Sequence, residues 1–148
     1  QRFRALGAPQ PLRVTAPERA RAIHADPVLL RRALDNLLDN ARKYSDAGSE
    51  IELRLSETPG ALTLEVEDHG IGIAAADLER LFAPFFRADR SRHRGTGGVG
   101  LGLFLAQKIV HAHGGTVAVS SAEGRGTVVT IELPASRPAL ARAAALDP

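Results

Sequence analysis

No cysteine occurs among the 148 residues. That excludes a disulfide framework and a thiolate metal site. Charge bias is also lacking: nineteen Lys and Arg against seventeen Asp and Glu leave a formal +2. So weak a balance gives no electrostatic reason to expect nucleic acid as a partner. The apolar runs fall far short of the ~20 residues that a membrane helix needs. Gln1 opens no signal-peptide pattern, and no internal repeat is visible. Because the sequence starts at Gln1 rather than Met, it reads as a piece cut from a longer protein. What remains is a 44% hydrophobic, 24% charged composition. It suits one packed domain rather than a disordered chain.

The order of elements follows from periodicity and punctuation. "PLRVTAP" and "RARAIHADP" alternate between prolines and predict two strands forming a hairpin. From Pro27 the period changes. Leu30, Leu34, Leu37 and Ala41 recur at helical spacing, with Asp26 as N-cap and Pro27 at the first helical position, and the helix should end near Tyr44. "EIELRLSE" and "ALTLEVED" predict antiparallel strands joined through Thr58-Pro59-Gly60. A short helix is expected around Asp77 to Phe82, and residues 83–99 read as a long loop rich in arginine. "LGLFLAQKIVHAHGG" predicts a helix stopped by Gly114 and Gly115. "TVAVSS" and "TVVTIELP" predict a closing hairpin, and residues 137–148 a poorly ordered tail. Hairpin-joined strands with one apolar stripe per helix imply an α/β two-layer sandwich. Its mixed, mostly antiparallel sheet has about five strands, with three helices on one face.

"RGTGGVGLGLFLAQKIV" contains G-x-G-x-x-G at Gly95, Gly97 and Gly100. A dinucleotide fold needs a buried strand just before the first glycine. "RADRSRHR" cannot be one. The P-loop needs a lysine after its last glycine, and none follows here. What survives is a glycine run at the mouth of a helix, where unpaired N–H groups and the helix dipole favour an anion. A flexible hinge with helix-packing glycines would account for the run equally well.

Two other stretches bear on the choice. On the helix through "LDNLLDNARKYSD", Asn36, Asn40, Lys43 and Tyr44 share one face, while Arg31, Asp35, Asp39 and Arg42 cover the solvent side. Asparagine is mildly unfavourable inside a helix. An amide oxygen suits Mg²⁺, and a lysine suits phosphate. Ordinary helix-to-loop hydrogen bonds would also explain the pair. In "VEDHGIGI" a strand ends at Asp68, and Gly70 and Gly72 permit a tight turn. A partly buried carboxylate there can accept from an exocyclic amine.

Taken in order, these segments resemble the ATP-binding catalytic domain of bacterial sensor histidine kinases. "DNLLDNARKYS" is similar to the family's N box, "DHGIGI" to its first glycine box and "LFAPFFRAD" to its F box. "GGVGLGLFLAQKIV" is similar to the second glycine box, and "GRGTVVTIELP" to the closing segment. The resemblance covers roughly residues 12–134 and implies the Bergerat fold, shared with DNA gyrase. Residues 1–136 would form the domain, with 83–99 as a mobile ATP lid. Asn40 would coordinate Mg²⁺ bridging the phosphates, Asn36 would support that side, and Lys43 would contact phosphate. Tyr44 would line the adenine side. Asp68 would bind the adenine amine, with Gly70, Gly72 and Ile73 beside the base and Thr127 on the same side. Arg87, Arg92 and Arg94 would reach the γ-phosphate. Gly98, Val99, Gly100 and Gly102 would cradle the phosphates, and Leu101 and Leu103 would anchor the lid. Phe85 and Phe86 would pack the lid and dock the partner domain.

The resemblance also bears on the reaction. Hydrolysing relatives carry a glutamate four residues before the metal asparagine, where this chain has Asn36. An amide cannot act as a general base. Slow hydrolysis and transfer of the γ-phosphoryl to an external nucleophile are therefore expected, by positioning and charge neutralisation. None of the five histidines, His24, His69, His93, His111 and His113, has the family's phosphoacceptor context. His111 and His113 read as ordinary histidines at a helix end. The acceptor would lie on a separate dimerisation domain of the same parent, with a response regulator downstream. The isolated chain would be monomeric, the parent a homodimer anchored in the inner membrane with this domain in the cytoplasm. Two other functions fit the motifs less well: a degenerate nucleotide-binding regulatory module, and a serine kinase of the anti-sigma-factor type.

Overall fold

A computed structural model describes residues 9–86 and 101–135. In chain order they form β1 (Leu12–Thr15), α1 (Pro27–Tyr44), β2 (Ile51–Thr58), β3 (Ala61–Asp68), α2 (Ala75–Leu78), α3 (Gly102–Ala112), β4 (Thr116–Ala122) and β5 (Gly126–Pro134). The sheet has five strands in the order β1-β2-β3-β5-β4. Only β1–β2 is parallel; the other pairs are antiparallel. The two-layer α/β architecture expected from the sequence is the one observed.

Strand alternation decides which face is covered. Leu64 and Val66 of β3 lie opposite Ile131 and Val129 of β5 and point inward. They meet Ala33, Leu37, Leu38 and Ala41 of α1 and Ala106 and Val110 of α3 in a single core. The other face is polar. There Arg54 sits 2.9 Å from Glu52, 3.2 Å from Glu65 and 2.6 Å from Glu67.

The apolar stripe of α1 needs fixed ends. Asp26 Oδ1 accepts from the N–H groups of Val28 at 2.9 Å and Leu29 at 3.1 Å, two donors that the helix leaves unpaired. Asp26→Ala is expected to cost about 1 kcal/mol of stability. Urea unfolding of the two chains checks this. At the other end, the buried Gln10 donates through Nε2 to the carbonyls of Arg42 and Ser45, each at 3.0 Å.

Two expectations about elements fail. The hairpin over "PLRVTAP" and "RARAIHADP" does not form: β1 pairs parallel with β2, and residues 16–26 form no strand and bend at Glu18 and Arg19. That run has one sizeable apolar side chain, Ile23, too little to hold a strand on the core. Polar contacts tack it down instead. Arg21 bonds Glu57, and His113 reaches Asp26. The short helix also starts earlier, at Ala75, and stops at Leu78. Beyond it only isolated turns continue, and Pro84, without an N–H, biases Ala83 away from helix.

His113 is more than an ordinary residue at a helix end. The backbone N–H of Asp26 can only donate, so His113 Nε2 accepts it at 3.0 Å. The ring proton therefore sits on Nδ1, which donates to the Ile109 carbonyl at 2.7 Å. This neutral ring joins the end of α3 to the start of α1.

Candidate functional site

The strand end at Asp68 organises one side of the site. Inward alternation along β3 carries Asp68 onto the core face, where it is 6% exposed. Its Oδ1 accepts from Gly70 N–H at 3.0 Å. Burial pushes the carboxyl above its ordinary range, and the N–H groups of Gly70 and Thr127 pull it partly back. Thr127 is the β5 partner of Asp68 and is equally buried. The two side chains therefore stand side by side.

Close backbone approach explains the glycines here. A Cβ at Gly70 would lie 2.0 Å from the Tyr44 carbonyl oxygen, and one at Gly126 would lie 1.9 Å from the Asp68 carbonyl oxygen. The loop after β3 is thereby pressed against the end of α1, and Ile71 N–H donates to the Tyr44 carbonyl at 3.2 Å. Gly72 packs in the same way against the β4–β5 turn. Steric fit within the chain thus requires glycine at these positions, whatever the site holds.

A hydroxyl secures that turn. Ser121 Oγ accepts from Ile73 N–H at 2.8 Å, contacts Gly126 O at 2.8 Å and lies 2.9 Å from Thr127 Oγ1. Ser121 has no role in the motifs described above. Its one visible signal was a serine on the inward phase of a β-hairpin next to Thr127.

On the other side, α1 presents Asn36, Asn40, Lys43 and Tyr44, all partly buried. The mouth of α3 faces this helix: a Cβ at Gly102 would come 3.9 Å from Asn36 Cβ. The asparagine face and Gly102, remote in sequence, are therefore brought together. Asn36 Nδ2 is buried and has no hydrogen-bond partner among the described residues. A buried donor left unpaired costs roughly 1–3 kcal/mol, so this atom suits an acceptor from a ligand. Leu101 precedes α3, and its carbonyl accepts from Leu105 N–H at 2.9 Å. Leu103 packs against the core.

Lys43 has a partner that the sequence reading missed. Its Nζ lies 2.9 Å from Asp39 Oδ2, while Arg42 lies 2.9 Å from Asp39 Oδ1. The signal was the four-residue spacing of Asp39 and Lys43 on a helix. Burial raises the Asp39 carboxyl, but the bonds from Arg42 and Lys43 outweigh it and hold the group below the usual range. Phe85 is 67% exposed at φ 65°, and Phe86 lies under the Arg80 guanidinium at 4.8 Å. Arg87, Arg92, Arg94, Gly98, Val99 and Gly100 lie outside the described residues, as do most of the expected lid and the tail. Among the described residues, no cluster of three His, Cys, Asp or Glu offers a self-contained metal cage. No helix there is long and apolar enough to cross a membrane.

Comparison with known proteins gives a consistent result. Residues 25–137 match the family model of histidine kinase-, DNA gyrase B- and HSP90-like ATPases. The chain is 42% identical over 124 residues to the sensor-like histidine kinase SenX3 of Mycobacterium tuberculosis, covering 84% of this chain and 30% of that protein. It is 40% identical over 120 residues to the sensor histidine kinase WalK of Bacillus subtilis, covering 80% and 20%. The chain thus spans less than a third of the length of these relatives. Among solved structures it superimposes on the mycobacterial sensor histidine kinase MprB with TM-score 0.79 and 32% identity, covering 93% of this chain and 89% of that one.

Proposed function

The chain belongs to the family of histidine kinase-, DNA gyrase B- and HSP90-like ATPases, and we propose that it binds Mg-ATP and passes the γ-phosphoryl to a histidine on a separate dimerisation domain. The observation that carries this reading is the buried Asp68 carboxylate, held by the N–H groups of Gly70 and Thr127. Its remaining acceptor capacity suits the exocyclic amine of adenine. The relatives are named sensor histidine kinases, which favours transfer to histidine over the regulatory and serine-kinase readings.

The phosphate side falls to α1 and the α3 mouth. Asn40 would ligate Mg²⁺ through its amide oxygen, with phosphate oxygens and waters completing the shell. That pattern suits an ion usually held by few protein ligands. When bound, the ion would neutralise phosphate charge. The Asn36 amide, without a partner among the described residues, would donate on the same side. Lys43 would exchange Asp39 for a phosphate oxygen. That exchange costs little, because a partly exposed ion pair contributes only about 0–1 kcal/mol. Gly98, Val99, Gly100 and Gly102 would bring backbone N–H groups to the phosphates, and Arg87, Arg92 and Arg94 would close from the lid. Tyr44, Gly70, Gly72, Ile73 and Thr127 would frame the base, and Leu101 and Leu103 would anchor the lid.

The parent is proposed to be a homodimeric sensor anchored in the inner membrane. This domain would lie in the cytoplasm, monomeric when isolated, with a response regulator as the final acceptor. The test is to mix the chain with γ-labelled ATP and a histidine-bearing dimerisation domain. Acid-labile label on that domain supports the reading; acid-stable label, or none, contradicts it. Asn40→Ala is expected to lower nucleotide affinity in Mg²⁺ far more than in chelator. Isothermal titration under the two conditions checks this, and an equal loss in both would remove Asn40 from the metal.

A further inference from the structure

The hydroxyl hydrogens around Ser121 can be assigned one by one. Ser121 Oγ has one proton and two lone pairs. Ile73 N–H takes one lone pair at 2.8 Å. The Gly126 carbonyl is purely an acceptor, so the Ser121 proton goes there, at 2.8 Å. The contact with Thr127 Oγ1 at 2.9 Å then has a single solution. Thr127 must donate its proton into the second Ser121 lone pair. Its Oγ1 keeps lone pairs and has no proton left to offer.

Thr127 and Asp68 are cross-strand partners on the same inward face, a separation of about 4.5–5.5 Å between Cβ atoms. The ionised Asp68 is also an acceptor only. This corner of the site therefore presents acceptors side by side. A 6-amino group turned toward them can donate through both of its N–H bonds. A 6-oxo group in the same place meets lone pairs and leaves buried polar atoms unpaired, which is the stronger route to discrimination.

We propose that Ser121 is a positioning residue. By holding Thr127 as an acceptor, it makes the base pocket select a 6-aminopurine nucleotide over a 6-oxopurine one. The inference rests on the ATP-site reading above and adds a residue that does not itself touch the base.

The test uses the 148-residue chain, with non-hydrolysable analogues of ATP and GTP titrated calorimetrically. The readout is the ratio of the two dissociation constants. Ser121→Ala frees the Thr127 hydroxyl to turn and donate, so the preference for ATP should fall about tenfold, the worth of one hydrogen bond. Ser121→Thr restores a hydroxyl and should keep the wild-type ratio. In a Thr127→Val background, Ser121→Ala should change the ratio no further, since the two act as a unit.

If Ser121→Ala does not fold, Ser121→Cys supplies the reading. Its weaker donor and acceptor should lower the ratio in part, and a wild-type ratio there contradicts the proposal. An unmoved ratio in Ser121→Ala overturns it, as does equal weakening of both nucleotides, which marks a merely structural role. Wild-type chain that is folded and binds neither nucleotide overturns the ATP-site reading and this inference with it. Binding with an unmoved ratio overturns only the inference.

Discussion

Asp68→Asn should weaken ATP binding by roughly ten- to a hundredfold, the loss expected for one hydrogen bond to a charged group, while leaving the chain as stable as before or more so. The amide keeps an oxygen for Gly70 N–H but loses the charge and brings donors toward the base amine. Stability should move the other way. Burial raises the folded-state value of the Asp68 carboxyl above its unfolded one. The folded chain therefore holds that proton more tightly, and stability declines as pH rises through the folded value and the charge is buried. At pH 7 the wild type carries that penalty, and Asp68→Asn does not. Nucleotide affinity has the opposite dependence. It should fall in the wild type as acidification protonates Asp68, and stay flat in the variant. Thermal melts and titrations across pH 4–8 check both. A variant that melts much lower at pH 7 would assign Asp68 to stability rather than binding.

Gly126→Ala should be among the most damaging single changes near the site. At φ +89° a Cβ is strained, and here it would also lie 1.9 Å from the Asp68 carbonyl oxygen. Left-handed backbone costs about 1–2 kcal/mol for a residue with a Cβ, and overpacking adds roughly 1–3 kcal/mol. The β3–β5 pairing would have to open at the residues that hold Asp68 and Thr127, so nucleotide binding should fall along with stability. Gly124 is the control. It has φ +75° with nothing within 4 Å of its would-be Cβ, so Gly124→Ala should show the backbone cost alone. Urea unfolding of the two variants separates strain from collision. Equal losses would mean that close approach at Gly126 is unimportant.

What was legible in the sequence was what short-range rules encode. The stripe from Leu30 to Ala41, with Asp26 and Pro27 before it, defines α1 because cap and period are local. The strands around Pro59-Gly60 alternate cleanly, so the β2–β3 hairpin is read directly. Asp68, Asn36 and Asn40 stood out because a carboxylate at a glycine turn and amides within a helix are costly unless used.

The features that escaped are long-range. Gln10 grips carbonyls more than thirty residues away. His113 receives the N–H of Asp26, 87 residues away. Ser121 bonds Ile73, 48 residues away. No periodicity announces such contacts, because they depend on which loops the sheet order brings together. The failed hairpin has the same origin: "RARAIHADP" alternates, yet Ile23 is its one sizeable apolar side chain to bury.

We propose that Asp68 and the α1 amides together form one Mg-ATP site. Calorimetric titration of the 148-residue chain with a non-hydrolysable ATP analogue, with and without Mg²⁺, tests it most directly. Saturable binding of one nucleotide per chain is expected, tighter when Mg²⁺ is present. A folded chain that binds no nucleotide in either condition would contradict it.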